Sequence, residues 1–489
     1  MKQLPDSWAV TKIGEITSPS SEKFEPLKNG DVKYIGLEHI EKETGKLLCY
    51  GSSKETRSTK SVFRKEDLLY GKLRPYLNKV YIAEFDGVCS TDILVFPKND
   101  FFENKFLKYR LLCSDFVRYA SRNVSGVQHP RVNINTISEY NISLPPLNEQ
   151  TRIVDKIEEL FTELDKGVAT LKELKQQIKR YRQSVLKHAF EGKLTEKWRE
   201  ENKDRLEPAS KLIEKIKAER KKALGKKYKE PPQIDTSGLP ELPYGWEWSN
   251  IDTLAESIPY AIKAGPFGSA LKKEFYVPQG YKIYGQEQVI RNDPYYGDYY
   301  INKERYETLK SCAIKPGDVL VSLVGTIGKV LILPENIEAG IINPRLVKFS
   351  LEKRLINNKL IKIYLESNVV KHYFSISSHG GTMDILNLSI LRDLPISLPP
   401  LLEQEILIDE IEKHFSFADK VEQIVDESLN KSEALRQSIL KQAFEGKLVP
   451  QDPNDEPASV LLEKIKAERK TLEAVKKKPT KKSKTKTKV

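Results

Sequence analysis

The chain is poor in the residues that most often carry chemistry. Its 489 residues hold four cysteines, six histidines, four tryptophans and two methionines. Cys49, Cys89, Cys113 and Cys312 are scattered without a CxxC pair. That excludes a disulfide frame and a CxxC-type zinc site. His39, His129, His188, His372, His379 and His414 form no HExxH pair or other metal-ligand spacing. No stretch approaches the ~18 apolar residues of a membrane span. The start, MKQLPDSWAV, lacks an apolar signal region, so a cytoplasmic product is expected.

Catalytic motifs are equally thin. Gly325-Thr-Ile-Gly-Lys329 lacks the spacer and the following Ser/Thr of a phosphate loop. His379-Gly-Gly-Thr has no accompanying GxSxG elbow. Asp293-Pro-Tyr-Tyr and Asn343-Pro-Arg-Leu are incomplete versions of an adenine-methyltransferase tetrapeptide, with no glycine-rich cofactor loop before them. The expectation is a chain that catalyses nothing by itself and holds no metal or cofactor. Its formal charge of +12 is misleading, because eight lysines lie in the tail KKKPTKKSKTKTKV and leave +4 on the other 475 residues. The tail reads as a disordered solubilising end or a source of non-specific phosphate attraction.

What the chain does have is a long internal repeat. Residues 144–194 and 398–448 align without a gap and match at 24 of 51 positions. EPASKLIEKIKAERK at 207–221 and EPASVLLEKIKAERK at 456–470 match at 13 of 15, and LPDSWAVTKIGEI at Leu4 echoes LPYGWEWSNIDTL at Leu242. A tandem duplication fixes the architecture before any motif is read. The unit is a globular segment, a long helix and a short helix. Its parts are a globular segment at 1–143, a long helix at 144–194, a short helix and linker at 195–241, a second globular segment at 242–397, a second long helix at 398–448, a short helix at 449–475 and the tail at 476–489.

In the first long helix Ile157, Leu164, Leu171, Ile178 and Val185 recur every seven residues. Ile153, Leu160, Leu174 and Tyr181 lie between them, Gly167 is the gap and Gly192 the expected cap. The second is a poorer zipper, with Ile411, Ala418, Val425, Ser432 and Ile439, and Leu407, His414, Val421, Ser428 and Leu435 between them. Polar seam positions suit one defined partner, so the two helices are expected to pair with each other, and His414 to be a packed, hydrogen-bonded residue. Each globular segment reads as α+β. Strands are expected at DVKYIGL, DLLYGKL, KVYIAEF and DILVFP and again at DVLVSLVG and KVLILP, with single helices over 104–119 and 357–373.

The side chains suited to reading DNA cluster in loops. In the first half they are Lys72, Arg74, Tyr76, Asn78 and Lys79 in GKLRPYLNK, and Gln128, His129, Arg131, Asn133 and Asn135 in the loop before the helix. In the second half they are Lys263, Ser269, Lys272 and Lys273 around GPFGS, Gln286 and Gln288 in YGQEQV, and Thr382 and Asp384 after a glycine pair. Arg and Lys can fork onto guanine edges, Asn and Gln onto adenine edges, and the remaining cations suit phosphates. A coiled-coil scaffold with protein-binding ends stays open as an alternative, and a self-contained DNA methyltransferase or nuclease is a weaker one.

At the two LPPL-x-EQ openings, ISLPPLNEQ and ISLPPLLEQ, and the two AFEGKL closings, the chain resembles the DNA-specificity (S) subunit of type I restriction–modification enzymes. GPFGS and YIGLEHI match the target-recognition domains of that family, and the likeness covers the whole length except the lysine tail. The resemblance implies two target-recognition domains, each reading one half of a split, asymmetric double-stranded DNA target. It implies an antiparallel pair of helices acting as a ruler for the unread spacer. It also implies docking of two methyltransferase (M) subunits, which use S-adenosylmethionine on adenine, and of motor-nuclease (R) subunits, which use ATP and Mg.

Overall fold

A computed structural model describes residues 4–26, 31–377 and 386–476; Thr382, Asp384 and the tail from 477 lie outside them. The chain divides into two compact units, Met1–Lys172 with Asp426–Val489, and Glu173–Val425. Each long helix therefore begins in one unit and ends in the other.

In the first unit, Leu68–Gly71 is a fully buried strand at the centre of a three-stranded antiparallel sheet, between Val80–Ile82 and Ile93–Phe96. Its unbroken LLY run is what a strand covered on both faces requires. A second sheet has the order Lys23–Phe24, Lys60–Phe63, Gly87–Cys89, Lys33–Ile35, Gly51–Ser52, with Gly87–Cys89 and Lys33–Ile35 parallel. The second unit repeats the plan. Val319–Ser322 lies between Val330–Ile332 and Leu346–Phe349, and Tyr281–Tyr284 runs parallel to Gly340–Ile342.

The single helix expected over 104–119 is two helices, Asn104–Leu112 and Ser114–Arg122. Cys113 between them is extended, at φ −68° and ψ 139°. The one expected over 357–373 breaks in the same way, into Asn358–Glu366 and Asn368–Ser377 around Ser367 at φ −68° and ψ 157°. The break turns the second helix of the first unit back onto the sheet, where Phe116 packs edge-on against Tyr70, with ring centroids 5.7 Å apart. Apolar spacing that resumes at helical period beyond each break hides it in the sequence.

The repeated LPPL-x-EQ string closes each unit. Just before the prolines, Asn141–Leu144 pairs antiparallel with Ala9–Lys12, and Ile396–Leu398 with Glu247–Ser249. Gln150 accepts the Glu103 N–H at 3.0 Å and donates to the Pro145 carbonyl at 3.0 Å. Gln404 accepts the Asn357 N–H at 2.8 Å and donates to the Pro399 carbonyl at 3.0 Å. The preceding glutamates take the indole N–H of the N-terminal tryptophans, Trp8 to Glu149 at 3.0 Å and Trp246 to Glu403 at 2.9 Å. The string is thus a buried polar lock between the first strand, the helix pair and the start of the long helix.

The long helices span Leu147–Phe190 and Leu401–Phe444. The first unit's core holds the start of one with the end of the other, including Ile153, Ile157, Phe161, Ile439, Ala443 and Phe444. The second unit's core holds the opposite ends, including Ala189, Phe190, Leu407, Ile408 and Ile411. This makes the pairing antiparallel. Arg436 bonds Asp165 and lies 4.3 Å from the Phe161 ring centroid. At the other end Arg182 pairs with Asp419 and, at 2.8 Å, with Glu422. Tyr181 and His414 share a hydrogen bond of 2.6 Å.

Of the seam residues, Ile157, Ile178, Val185, Ile411, Val425 and Ile439 are buried, while Leu164 and Leu171 are half-buried. Leu435 does not belong to the seam: it is 51% exposed, because the side chain that reaches across beside it is Arg436. Gly192 and Gly446 end the helices at φ +70° and +69°. Lys193 donates back to the His188 carbonyl and Lys447 to that of Gln442, each at 2.9 Å, the left-handed cap glycine favours. Gly167, by contrast, is an exposed interior helical residue whose Cβ would meet nothing within 4 Å. Gly167→Ala is expected to stabilise the first unit by about 0.5–1 kcal/mol, measured by amide exchange along the helix.

The short helices buttress the units. Ala209–Leu224 is fixed by Arg220, whose guanidinium donates to the Thr253 and Ala255 carbonyls at 3.0 and 2.7 Å. Arg469, its counterpart on Ala458–Lys476, donates to the Gly14 carbonyl.

Candidate nucleic-acid interface

In the first unit, two loops far apart in sequence form one surface. The loop leaving Leu68–Gly71 and the hairpin of Val124–Ser125 with Arg131–Val132 are joined by backbone bonds. Val132 donates to the Lys72 carbonyl at 3.0 Å, and Arg74 to the Pro130 carbonyl at 2.7 Å. Arg74 and Asn78 flank the turn Pro75–Leu77 in the left-handed region, at φ +52° and +41°. Such backbone costs of order 1–3 kcal/mol per residue in non-glycines and is held only where its surroundings impose it.

Exposed on this surface are Arg74, Tyr76, Gln128, His129, Arg131 and Asn133, with Lys72 half-buried beside them. Arg131 is clamped by Asp92, Nε to Oδ1 at 2.9 Å and Nη2 to Oδ2 at 3.0 Å. This bond holds the Asp92 carboxyl below the usual carboxylate range. Lys72 Nζ stands 3.9 Å from the same carboxylate. Val127, at the hairpin tip beside Gly126 (φ +87°), is 99% exposed.

Several expected readers have other roles. Asn78 is 2% exposed and held by the turn, its carbonyl accepting the Glu43 N–H at 3.1 Å. Lys79 donates to the Leu37 carbonyl at 2.6 Å. Asn133 caps the helix Ile134–Ser138 by accepting the Asn135 N–H at 3.1 Å. In the second unit Gln288 is 2% exposed, accepting from the Gly285 N–H at 2.9 Å and donating to the Tyr296 carbonyl at 2.8 Å. His39, not among the expected readers, caps its own turn, Nδ1 accepting the Gly36 N–H at 3.1 Å. Polar residues needed for capping look the same in a sequence as polar residues needed for recognition.

The second unit's face is built around a concavity of about 870 Å³, lined by Lys273, Gln286, Asn343, Arg345, Tyr276 and Tyr299. Lys272, Lys273 and Ser269 are exposed; Lys263 lies half-buried on Ile262–Ala264, its Nζ 5.7 Å from the Tyr260 ring centroid. GPFGS begins with Gly265, where a Cβ would lie 1.8 Å from the Asn343 carbonyl oxygen, so only glycine fits. Phe267 beyond it is 89% exposed. Gly325-Thr-Ile-Gly-Lys329 lies in the loop joining Val319–Ser322 to Val330–Ile332, the counterpart of GKLRPYLNK in the first unit. Among the described residues no His, Cys, Asp and Glu group could hold a metal ion, and no helix is long and apolar enough to cross a membrane.

A family model for the type I restriction modification DNA specificity domain matches residues 5–180 and again 244–429. The chain belongs to this family. It is 35% identical over 232 residues to the Escherichia coli type I restriction enzyme EcoDI specificity subunit, covering 46% of this chain and 52% of that protein. The EcoBI specificity subunit, also from E. coli, is 28% identical over 426 residues, 83% of this chain and 80% of that one. So the chain spans about half the length of one such relative and four-fifths of the other.

Two solved structures share the fold. One, from work on assembly and conformational transition of the type I R-M system, aligns at a TM-score of 0.65 with 21% identity, over 91% of this chain and 99% of that one. The HsdS subunit of Thermoanaerobacter tengcongensis aligns at 0.52, also with 21% identity, over 91% and 98%. The two specificity-domain matches coincide with the duplication seen in the sequence. Asp92, Arg345, Val127 and Phe267 also lie on these faces, and the sequence alone does not single them out. Arg345 was hidden inside an apparent methyltransferase tetrapeptide, and the two apolar side chains by a search confined to polar ones.

Proposed function

We propose that this chain is the sequence-reading subunit of a type I restriction–modification complex. Each unit reads one half of a bipartite, asymmetric DNA target through its loop face, and the antiparallel helices set the unread spacer between the halves. The observation that carries this reading is the repetition of one scaffold under two chemically different loop faces. The strands, the buried Glu-Gln lock and the helix caps recur, while the loop KLRPYLNK at 72–79 of one face is LVGTIGK at 323–329 in the other. A scaffold that holds still while its loops vary is suited to reading two unlike half-sites.

On this reading catalysis belongs to cytoplasmic partners. Two methyltransferase subunits bring S-adenosylmethionine, and motor-nuclease subunits use ATP and Mg. The chain supplies position and selectivity.

Gln128 and Arg131 offer a direct test. In a complex with the methyltransferase, replacing either by alanine is expected to relax one or two positions of a single half-site. The loss of discrimination should be about 1–3 kcal/mol, read by competition binding with single-base variants. Equal weakening on all sequences would make them phosphate contacts instead.

A further inference from the structure

We infer that Arg345 reads guanine in the half-site bound by the second unit, an assignment that rests on the DNA-recognition reading above. Positions 92 and 345 are equivalent in the duplicated fold. Each immediately precedes the strand beside the central one, Ile93–Phe96 or Leu346–Phe349. Each also accepts, on its carbonyl, the N–H of the first loop residue, Lys72 at 2.9 Å or Leu323 at 2.9 Å.

What differs is which partner is fixed to the sheet. In the first unit the sheet position holds an acid, Asp92, and the hairpin brings the arginine, Arg131. In the second the sheet position is itself the arginine, and the clamp is an amide. Gln286 donates its Nε2 to Ser322 Oγ at 2.9 Å and to the Val324 carbonyl. These donations fix the amide's orientation, and its Oε1 accepts from Arg345 Nη1 at 3.3 Å. Asn343 anchors the backbone, accepting the Arg345 N–H on its Oδ1 at 2.9 Å.

The guanidinium is exposed, held from behind by a neutral group, and makes no ion pair among the described residues. Its Nη2 donors meet no hydrogen-bond partner among the described residues, on the rim of the concavity. Guanine presents two acceptors, O6 and N7, on its major-groove edge, and a pre-oriented guanidinium fork matches them. A phosphate contact would need the charge but not the clamp.

The test uses the full chain in complex with its methyltransferase. After the wild-type motif is mapped, each guanine in it is replaced singly by 7-deazaguanine, which lacks the N7 acceptor, and binding is measured. The wild type is expected to lose roughly tenfold at the guanine Arg345 reads, and R345A to lose nothing further there while matching the wild-type response at every other guanine. R345K, which keeps the charge without the fork, is expected to bind non-specific DNA as the wild type does and yet accept other bases at that position. Identical 7-deaza profiles for wild type and R345A, or full discrimination by R345K, would overturn the assignment and leave a phosphate contact. A wild-type complex with no bipartite motif would overturn the DNA-recognition reading itself, and this assignment with it.

Discussion

Glu403→Ala is expected to destabilise the second unit by about 3–5 kcal/mol. The Glu403 carboxylate is fully buried and collects three donors: Thr195 Oγ1 at 2.6 Å, Arg199 Nη1 at 2.6 Å and Trp246 Nε1 at 2.9 Å. Arg199 is itself buried and donates its Nη2 to the Gly192 carbonyl at 2.9 Å, so one ion pair ties the cap of the first long helix to the start of the second. Removing the carboxylate leaves a buried guanidinium without its counter-charge, the most expensive way to break such a pair.

The equivalent lock in the first unit is neutral on the donor side. Glu149 takes the Trp8 indole at 3.0 Å and Gln451 Nε2 at 2.7 Å. Glu149→Ala should therefore cost less, about 1–3 kcal/mol. Amide exchange resolved by unit would measure both, since a two-unit chain need not unfold in one step. Equal losses at the two sites would contradict the ion-pair account.

The first unit's lock should also make its stability depend on pH. Burial raises the Glu149 carboxyl above its ordinary value. The folded first unit then holds a proton that the unfolded chain releases. Its stability should fall as pH rises from the ordinary glutamate value through the raised one, with the penalty fully present above that. Glu149→Gln should remove this slope.

Inserting one heptad into each long helix, matched so that the seam stays in register, is expected to lengthen the spacer of the recognised motif by about three base pairs. Seven residues add about 10.5 Å of helix, and one base pair occupies about 3.4 Å of DNA. Because a turn of DNA takes 10–10.5 base pairs, the added three rotate the second half-site by roughly a third of a turn, so binding should also weaken. A retained motif with an unchanged spacer would rule out the helices as the ruler.

Much of this was legible in the sequence where geometry is periodic or local. The heptads of Ile157, Ile178 and Val185, the cap glycines Gly192 and Gly446, and the repeated LPPL-x-EQ depend on spacing alone, and spacing is what a sequence records. The breaks at Cys113 and Ser367 were not legible, because the apolar spacing resumes at helical period beyond the short polar runs Ser114-Asp115 and Glu366-Ser367-Asn368. Nor was the sorting of polar side chains. Gln288 and Asn78 carry the groups that read bases, and only the fold shows the Gln288 amide spent on backbone and the Asn78 side chain buried. Asp92 and Arg345 gain their meaning from a strand register that joins Lys72 to Asp92 and Leu323 to Arg345, a pairing between segments that share no local pattern.

The most direct test of the central claim is to express this chain with its methyltransferase and map methylated adenines across the host genome. The account predicts a single asymmetric motif in two parts separated by a spacer of constant length. Methylation at a continuous palindrome, or none from a stable complex, would contradict it.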